Sequence, residues 1–265
     1  MNIIVCIKQV PGTTKVEIDE ATGVLKRDGV ESKLNPYDLY ALETALRLRD
    51  RLGGSVTVVS MGPPQAEAVI KEAYAIGADA GILVSDRKFA GSDVLATSYT
   101  LAQAIHAAGP FDLILCGKQT TDGDTAQVGP ALAEHLAIPH VTWVRAIPEA
   151  DADKIVVEQD LADSFEAVEL SYPCLITVEK GIYPPRLPSY KRKLATADRP
   201  VKVLTFRELA DSNELNYGLN GSPTQVERIF PPEVNSEQVL WEGAPGLLSE
   251  KIFHLLLESK FISKG

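Results

Sequence analysis

The chain has 265 residues, of which 45% are hydrophobic and 23% charged, and its formal net charge is −10. These values suit a globular protein with a substantial core, built as one large domain or as a domain with an appendage. The acidic balance argues against non-specific nucleic-acid binding, which needs lysine and arginine to neutralise phosphates.

The cysteines and the N-terminus indicate neither a metal site nor secretion. Cys6, Cys116 and Cys174 lie far apart and no CxxC motif is present, so neither zinc nor a disulfide framework is expected. The N-terminus lacks the basic start of a signal peptide. No window approaches the roughly 18 consecutive apolar residues of a membrane span. We therefore expect a cytoplasmic protein without a metal, a membrane span or a nucleic-acid partner.

Residues 1–137 alternate short apolar strands with helices. The alternation predicts a parallel α/β sheet with helices on both faces. Asn35 is a suitable helix cap, Pro36 a suitable first helical residue, and Gly53 a suitable stop. We predict strands at 3–7, 55–60, 81–84 and 111–116, a hairpin within 15–27, and helices over 36–52, 64–76, 93–107 and 125–136.

After residue 138 the pattern changes. Runs at 141–147, 154–160 and 167–178 predict additional, antiparallel strands. A proline-rich stretch at 181–188 fits neither a central strand nor the middle of a helix. Arg186, within this stretch, and Lys191, Arg192 and Lys193, just after it, form a basic cluster in an otherwise acidic chain.

The C-terminal part is irregular but too apolar for a disordered tail. Prolines interrupt residues 217–245, and a helix is predicted over 246–262. We divide the chain into an α/β domain, 1–217, and an arm, 218–265, that packs on a partner subunit. The alternative is an arm that folds back on its own domain.

The stretch GKQTTDGDTAQVGP, residues 117–130, joins a predicted strand to a predicted helix. It is not a phosphate-binding P-loop, because Gln119 stands where serine or threonine belongs. The pattern places Asp124 as the cap of a helix whose first turn is 125–128. Free amides there would attract an anion, and Gly123 would allow close approach. A capped polar turn explains the same residues, and the stretch alone does not choose between the two.

The position of this stretch in the sheet favours ligand binding. In open parallel sheets, ligands bind outside the carboxyl ends of the strands, near a reversal of strand order. The stretch lies at one such end. Residues 8–11 and 60–62 lie at two others.

The chain as a whole resembles the β subunit of electron transfer flavoprotein. The resemblance runs nearly end to end, and its motifs occur in the family's order and spacing. They are VCIKQVP at 5–11, LNPYD at 34–38, SMGP at 60–63, GKQ at 117–119, DGDTAQ at 122–127, PPR at 184–186 and GSPT at 221–224.

The resemblance implies a Rossmann-like domain that holds a nucleotide and pairs with an FAD-carrying α subunit. Carried over to this sequence, the family's nucleotide site comprises Cys6, Lys8, Asn35, Pro36, Tyr37, Asp38, Ser60, Met61, Cys116, Gly117, Lys118, Gln119, Asp122, Gly123, Asp124, Thr125, Ala126, Gln127 and Val128. The arm would wrap the α subunit.

The family's docking loop for a flavin-dependent dehydrogenase corresponds to residues 184–197. The docking residues carried over are Arg186, Leu187, Tyr190, Lys191 and Leu194. Tyr190 stands where familiar members have a leucine anchor, which leaves the identity of the dehydrogenase open.

One branch of the family holds structural AMP in this subunit. The other holds a second FAD that takes hydride from NADH and bifurcates the electron pair. One electron goes to ferredoxin or flavodoxin, and the other passes through the α-subunit FAD to a dehydrogenase, expected to be acyl-CoA-linked. The sequence resembles the second branch more closely, with AMP as the alternative. Pro11, Phe89 and Gly91 would border the flavin or the nicotinamide, and no residue is nominated as catalytic.

Overall fold

The computed structural model describes residues 1–12, 32–227 and 239–263. The hairpin expected within 15–27 lies outside these residues. The chain forms two compact units, Met1–Arg228 and Ile229–Gly265. Each is described separately below.

The first unit contains all eleven strands of the described chain and five of its helices. The strands are β1 Asn2–Cys6, β2 Gln9–Pro11, β3 Ser32–Leu34, β4 Ser55–Met61, β5 Ala80–Val84, β6 Leu113–Gly117, β7 His140–Ala150, β8 Lys154–Asp160, β9 Phe165–Ser171, β10 Cys174–Val178 and β11 Lys202–Leu204. The helices are α1 Pro36–Leu52, α2 Glu67–Ile76, α3 Val94–Ala108, α4 Val128–Leu136 and α5 Tyr190–Ala195. The predicted alternation of strands and helices in the first half is confirmed.

Nine strands form one sheet in the order β11-β5-β4-β1-β6-β10-β7-β8-β9. The strands from β11 to β7 run parallel. Only β7–β8 and β8–β9 are antiparallel pairs within it. The two short strands β2 and β3 pair with each other in a separate antiparallel ribbon.

The prediction for residues 167–178 is wrong in one respect. This run is not a single antiparallel strand but two strands, separated at Tyr172–Pro173. The first is the antiparallel edge strand β9, whereas the second, β10, inserts in parallel between β6 and β7. All five residues of β10 are buried. A proline has no amide hydrogen to donate to a ladder, which is consistent with a break at Pro173.

Helices cover both faces of the parallel sheet, as predicted. One core layer packs α1 and α2 against the sheet, with Leu42 and Ile70 among its buried members. The other packs α3 and α4 against the opposite face, with Ile105 and Leu132 among its buried members. Successive side chains of a strand point to opposite faces, so Ile3 and Ile4 of β1 enter different layers.

The ends of α1 and the start of α3 agree with the sequence signals, except for the cap of α1. Pro36 opens α1, and Gly53 closes it with a φ of 79°, a conformation that glycine adopts without strain. Asp93 caps α3 by accepting a hydrogen bond from the amide of Ala96. Asn35 is the exception, because its side chain makes no capping hydrogen bond to α1.

In the second unit, α6 spans Pro245–Glu258 and has no buried residue. The helix ends four residues before the predicted limit of 262. Leu247, Ile252 and Leu255 are between 49% and 63% exposed. Nowhere in the described chain does a helix combine the length and apolar character that crossing a bilayer requires.

Residues 218–227, the first ten of the arm predicted from the sequence, belong to the first unit and not to the second. The amide of Leu219 donates to the carbonyl of Ala90. The amide and hydroxyl of Thr224 both donate to one carboxylate oxygen of Asp93, at 3.1 and 2.7 Å. Asp93 thus caps α3 and also holds the residues that lead into the second unit.

Candidate functional site

The chain reverses direction across the sheet at β1. From β1 it moves through α1 to β4 and then β5 on one side, and from α3 it returns to β6 on the other side. In open α/β sheets, a ligand crevice forms at such a reversal, outside the carboxyl ends of the strands. Here those ends are Cys6 of β1 and Cys116–Gly117 of β6, with Cys6 and Cys116 directly paired in register.

Asn35 connects three segments at this edge. Its amide donates to the carbonyl of Lys8, and its side-chain nitrogen Nδ2 donates to the carbonyl of Gln119 at 2.9 Å. Its oxygen Oδ1 accepts from the amide of Thr121 at 3.2 Å. The residue is fully buried. Because Nδ2 and Oδ1 of Asn35 both bind the 117–127 loop, the side chain does not cap α1.

Asp38 is a buried carboxylate directly beneath the same edge. It is 4% exposed, and its Oδ2 accepts a hydrogen bond from the amide of Lys8 at 2.8 Å. Burial raises the pKa of Asp38 to about 7. Hydrogen bonds from the Asn35 side chain and from the amides of Lys8 and Gly117 lower the pKa, but burial outweighs them. Burial in the fold therefore favours the protonated form of this carboxyl.

Gly117 is required by the close packing of α1 against the end of β6. A Cβ at this position would lie 2.5 Å from Oδ1 of Asp38 and 2.7 Å from the backbone carbon of Tyr37. By contrast, a Cβ at Gly123 would meet only the Thr120 hydroxyl, at 3.3 Å. The two glycines of the loop therefore differ: a Cβ on the first would meet the backbone of α1, whereas a Cβ on the second would meet only one side-chain hydroxyl.

The thiols of Cys6 and Cys116 lie between these polar groups. Both are free, and Cys116 is buried. A hydrogen bond with Cys6, together with burial, raises the pKa of the Cys116 thiol well above its usual value. The raised pKa makes Cys116 a weak nucleophile, in keeping with a thiol that packs rather than reacts.

Ser60 lies on the other side of β1, near the end of β4. It is fully buried. Its Oγ has no hydrogen-bond partner within residues 1–12, 32–227 and 239–263. A buried hydroxyl normally has a partner, so this atom is suited to a ligand group. The neighbouring residue Met61 is the last of β4 and is half-buried.

The start of α4 corrects the sequence prediction. The helix begins at Val128 and not at Thr125, and its cap is Gln127 rather than Asp124. Asp124 and Ala126 have φ values of 54° and 55°, which a right-handed helix excludes. Pro130 gives the physical reason. In a helix starting at 125 it would be the sixth residue, where its ring would clash with the carbonyl four residues earlier. In the observed helix it is the third.

The acids of the loop are paired within the protein. Both oxygens of Asp122 accept hydrogen bonds from Nζ of Lys8 at 2.8 Å. Burial would raise the pKa of Asp122, but the hydrogen bond and charge of Lys8 lower it below its usual value. Asp124 accepts a hydrogen bond from the side chain of Gln119. The negative charge of Asp122 is therefore compensated at this edge.

Lys118 points to a different part of the edge. Its Nζ lies 2.6 Å from Oε1 of Glu179, which follows β10, and 4.3 Å from the ring centroid of Trp143 in β7. Lys118 therefore joins the ends of β6, β10 and β7. Sequence reasoning missed Glu179 and Trp143, because it did not place β10 next to β6.

The three residues expected to border the flavin or the nicotinamide lie in two segments, one at the end of β2 and one before α3. Pro11 ends β2 and is exposed. Phe89 is 4% exposed and packs against the ring of Tyr217, with a centroid distance of 5.7 Å. Gly91 has a φ of 76° and faces Leu219. The Phe89 side chain is part of the core on the α3 side of the sheet.

The residues expected to dock a dehydrogenase divide into two groups. Leu187, Tyr190 and Leu194 are 86%, 75% and 62% exposed, and Lys191 is also exposed. Arg186, in contrast, is turned towards α1, where it pairs with Glu43 and Asp50.

Taken together, the structure brings Lys8, Asn35, Asp38, Gly117, Gln119 and Asp122 into one hydrogen-bonded group at a reversal of strand order. This geometry defines a doubly wound α/β protein with its candidate ligand edge at the switch point.

Comparison with known proteins gives the family. Residues 22–209 match the family model described as the electron transfer flavoprotein domain. The chain is 48% identical over 245 residues to the electron transfer flavoprotein subunit beta of Thermoanaerobacterium thermosaccharolyticum, covering 92% of this chain and 93% of that protein. It belongs to the electron transfer flavoprotein β-subunit family, whose members act in electron transfer with an α subunit.

Two further relatives carry other names. Protein FixA of Azotobacter vinelandii is 44% identical over 243 residues, covering 90% of this chain and 86% of that protein. The caffeyl-CoA reductase-Etf complex subunit CarD of Acetobacterium woodii is 45% identical over 233 residues, covering 88% of each. The family resemblance inferred from the sequence motifs is thereby confirmed.

Proposed function

We propose that the switch-point edge holds an FAD and that the chain is the NADH-oxidising β subunit of a bifurcating electron transfer flavoprotein. The observation that carries the nucleotide site is the hydrogen-bonded group built on Asn35, which joins the segment after β1, the start of α1 and the 117–127 loop. These segments meet where doubly wound proteins bind nucleotides.

The residues at this edge fit the adenosine diphosphate half of such a cofactor. Ser60 offers a buried hydroxyl whose hydrogen-bonding capacity is unused within the described residues. Gly123 allows the loop backbone to approach a ligand. The ion pair of Lys8 with Asp122 offsets a carboxylate that would otherwise repel a pyrophosphate.

When bound, the FAD would accept a hydride from NADH and divide the two electrons between ferredoxin or flavodoxin and the α-subunit FAD, which serves a flavin-dependent dehydrogenase. This chain's residues bind and orient the cofactor, and none is assigned a proton-transfer step. The 45% identity to a subunit of a complex named for caffeyl-CoA reductase supports an acyl-CoA-type dehydrogenase as the partner.

Exposed apolar side chains indicate where the chain would contact its two protein partners. The second unit exposes the apolar side chains of α6, and we assign them to the α subunit. Leu187, Tyr190 and Leu194 form an apolar face on the docking loop, and we assign this face to the dehydrogenase.

Nucleotide content tests the proposal. The chain is co-expressed and purified with its α subunit, the complex is denatured, and the released nucleotides are counted by chromatography. Two FAD and no AMP per heterodimer support the proposal, together with bleaching of the flavin absorbance by NADH. One FAD with one AMP would contradict it and would identify the chain as the non-bifurcating type, which is the alternative.

A further inference from the structure

The docking loop, residues 184–197, presents apolar side chains to solvent without a core of its own. Leu187 and Tyr190 are among the most exposed large hydrophobic residues of the first unit, and no residue of α5 is buried. Ordering a loop costs conformational entropy, and a loop held in its binding conformation beforehand binds its partner more tightly. The contacts that hold this loop therefore decide how well it can dock.

The first contact is a charged cluster on α1. The amide and Nε of Arg186 donate to Oε2 of Glu43 at 3.1 and 2.8 Å, and Nη2 donates to Oε1 at 3.3 Å. The same guanidinium donates to Oδ2 of Asp50 at 3.2 Å. Arg47 supplies another hydrogen bond to Glu43 at 2.8 Å.

Glu43 is unusual among these groups because it is only 3% exposed. Burial would raise its pKa, but the hydrogen bonds from Arg186 and Arg47 outweigh burial and hold the pKa of Glu43 below its usual value. A buried carboxylate that depends on two arginines for its charge is costly to leave unpaired. Glu43 therefore fixes Arg186, and with it the start of the loop.

The second contact is at the C-terminal end of α2. Nη1 of Arg192 donates to the carbonyl of Ile76 at 2.7 Å, and the amide of Ser189 donates to the carbonyl of Ala75 at 3.0 Å. A Cβ on Gly77 would lie 2.5 Å from Nη1 of Arg192, so the glycine makes room for the guanidinium. The last carbonyls of a helix lack intrahelical partners and carry partial negative charge, which suits an arginine.

We propose that Glu43, Arg186 and Arg192 are positioning residues for partner docking. Arg186 holds the start of the segment that carries Leu187, Tyr190 and Leu194, and Arg192 holds it from within α5; Glu43 keeps Arg186 in place. Arg186 thus acts through the loop and does not itself contact the dehydrogenase. This inference rests on the proposed docking role of the loop.

The test compares Glu43→Gln with wild type in the purified heterodimer. Electron transfer is measured with a purified acyl-CoA dehydrogenase that exchanges electrons with the wild-type complex, and its concentration is varied. Because hydrogen bonds to charged groups contribute roughly 1.5–3 kcal/mol, we expect KM for the dehydrogenase to rise about tenfold or more, with kcat unchanged. Hydrogen exchange of the amides at 187–195 should accelerate in parallel.

Controls separate positioning from general damage. Glu169→Gln, which removes the exposed partner of Lys154, should change neither quantity. The double variant Glu43→Gln/Arg186→Gln should raise KM by less than the product of the two single effects, because both residues act through the same contact. Should Glu43→Gln fail to fold, Arg192→Met tests the second contact with the same two measurements.

Two results would overturn the inference. One is unchanged KM together with unchanged exchange at 187–195. The other is that Glu43→Gln accelerates hydrogen exchange at 187–195 but leaves KM unchanged, although Tyr190→Ala raises KM. Docking would then depend on the loop but not on the contacts that hold it. If Tyr190→Ala itself leaves KM unchanged, the docking role of the loop fails, whereas nucleotide counting still decides the cofactor proposal.

Discussion

Asp38 is a carboxylate whose charge the fold disfavours. Its pKa is raised from 3.8 to about 7, so the folded state holds its proton more tightly than the unfolded chain does. Between pH 4 and 7 the folded state therefore binds more protons, and its stability falls as the pH rises through this window. Above pH 7 the cost reaches at most about 4 kcal/mol.

We predict that Asp38→Asn removes this pH dependence. The difference in free energy of unfolding between variant and wild type should shift in favour of the variant from pH 4 to pH 8. Urea unfolding of the complex with its α subunit across this range measures the shift. Asp163→Asn, at an exposed position, should show no such trend. Parallel pH profiles for wild type and Asp38→Asn would show that burial of Asp38 does not control its titration.

The two loop glycines give a second prediction. Gly117→Ala should lower the free energy of unfolding by about 1–3 kcal/mol, because its Cβ meets α1 backbone and the Asp38 carboxylate. Gly123→Ala should change stability by less than about 0.5 kcal/mol but reduce the nucleotide retained on purification. Thermal unfolding and nucleotide counting of both variants test this contrast. Equal nucleotide retention in Gly123→Ala and wild type would place the ligand away from that glycine.

At the residue scale, the sequence identified which residues gather at the edge but not their partners. Asn35 and Asp38 were carried over to the site from the family resemblance, through the LNPYD motif at 34–38. Asn35 was expected to cap α1, yet its side chain binds the 117–127 loop, because local helix signals do not include contacts across more than 80 residues of sequence. Lys118 was expected near the nucleotide, and it pairs with Glu179.

At the scale of elements, the ion pair of Lys118 with Glu179 links β6 to β10. The two side chains are 23% and 17% exposed, so the pair is partly shielded from water. A double-mutant cycle with Lys118→Met and Glu179→Gln should give a coupling free energy of about 1 kcal/mol. The exposed pair of Lys154 with Glu169 should give a coupling near zero. Similar couplings for both pairs would indicate that shielding is unimportant here.

Periodicity and end signals sufficed for α1, α2, α3 and for β1, β4, β5 and β6, because each buries apolar side chains, but the short strands β2 and β3 were not predicted. The start of α4 was missed although Pro130 marks it in the sequence, since glycine and aspartate before it suggested an earlier cap. The place of β10 could not be read from its apolar run. Such a run predicts burial on both faces but does not name the neighbouring strands.

At the scale of the whole molecule, the boundary between the two units gives a fourth prediction. Deleting residues 229–265 should leave the thermal stability of the first unit unchanged and abolish its association with the α subunit. Deleting 218–265 should also destabilise the first unit, by about 2 kcal/mol or more, because Asp93 loses its bonds to Thr224. Sedimentation and thermal unfolding of both truncations provide the measurements. Full α-subunit binding without 229–265 would contradict the assignment of α6.

The insertion of β10 has a consequence for synthesis of the chain. When residue 150 leaves the ribosome, the residues of β6 and β7 have been synthesised, but those of β10, the strand that lies between them in the sheet, have not. At about 5–20 residues per second, β10 follows about 1–6 s later. Until then the backbone N–H and C=O groups on one edge of β6 have no partner strand and can pair wrongly with other chains. The candidate ligand edge of a nascent chain is therefore completed only after residues 174–179 have been synthesised.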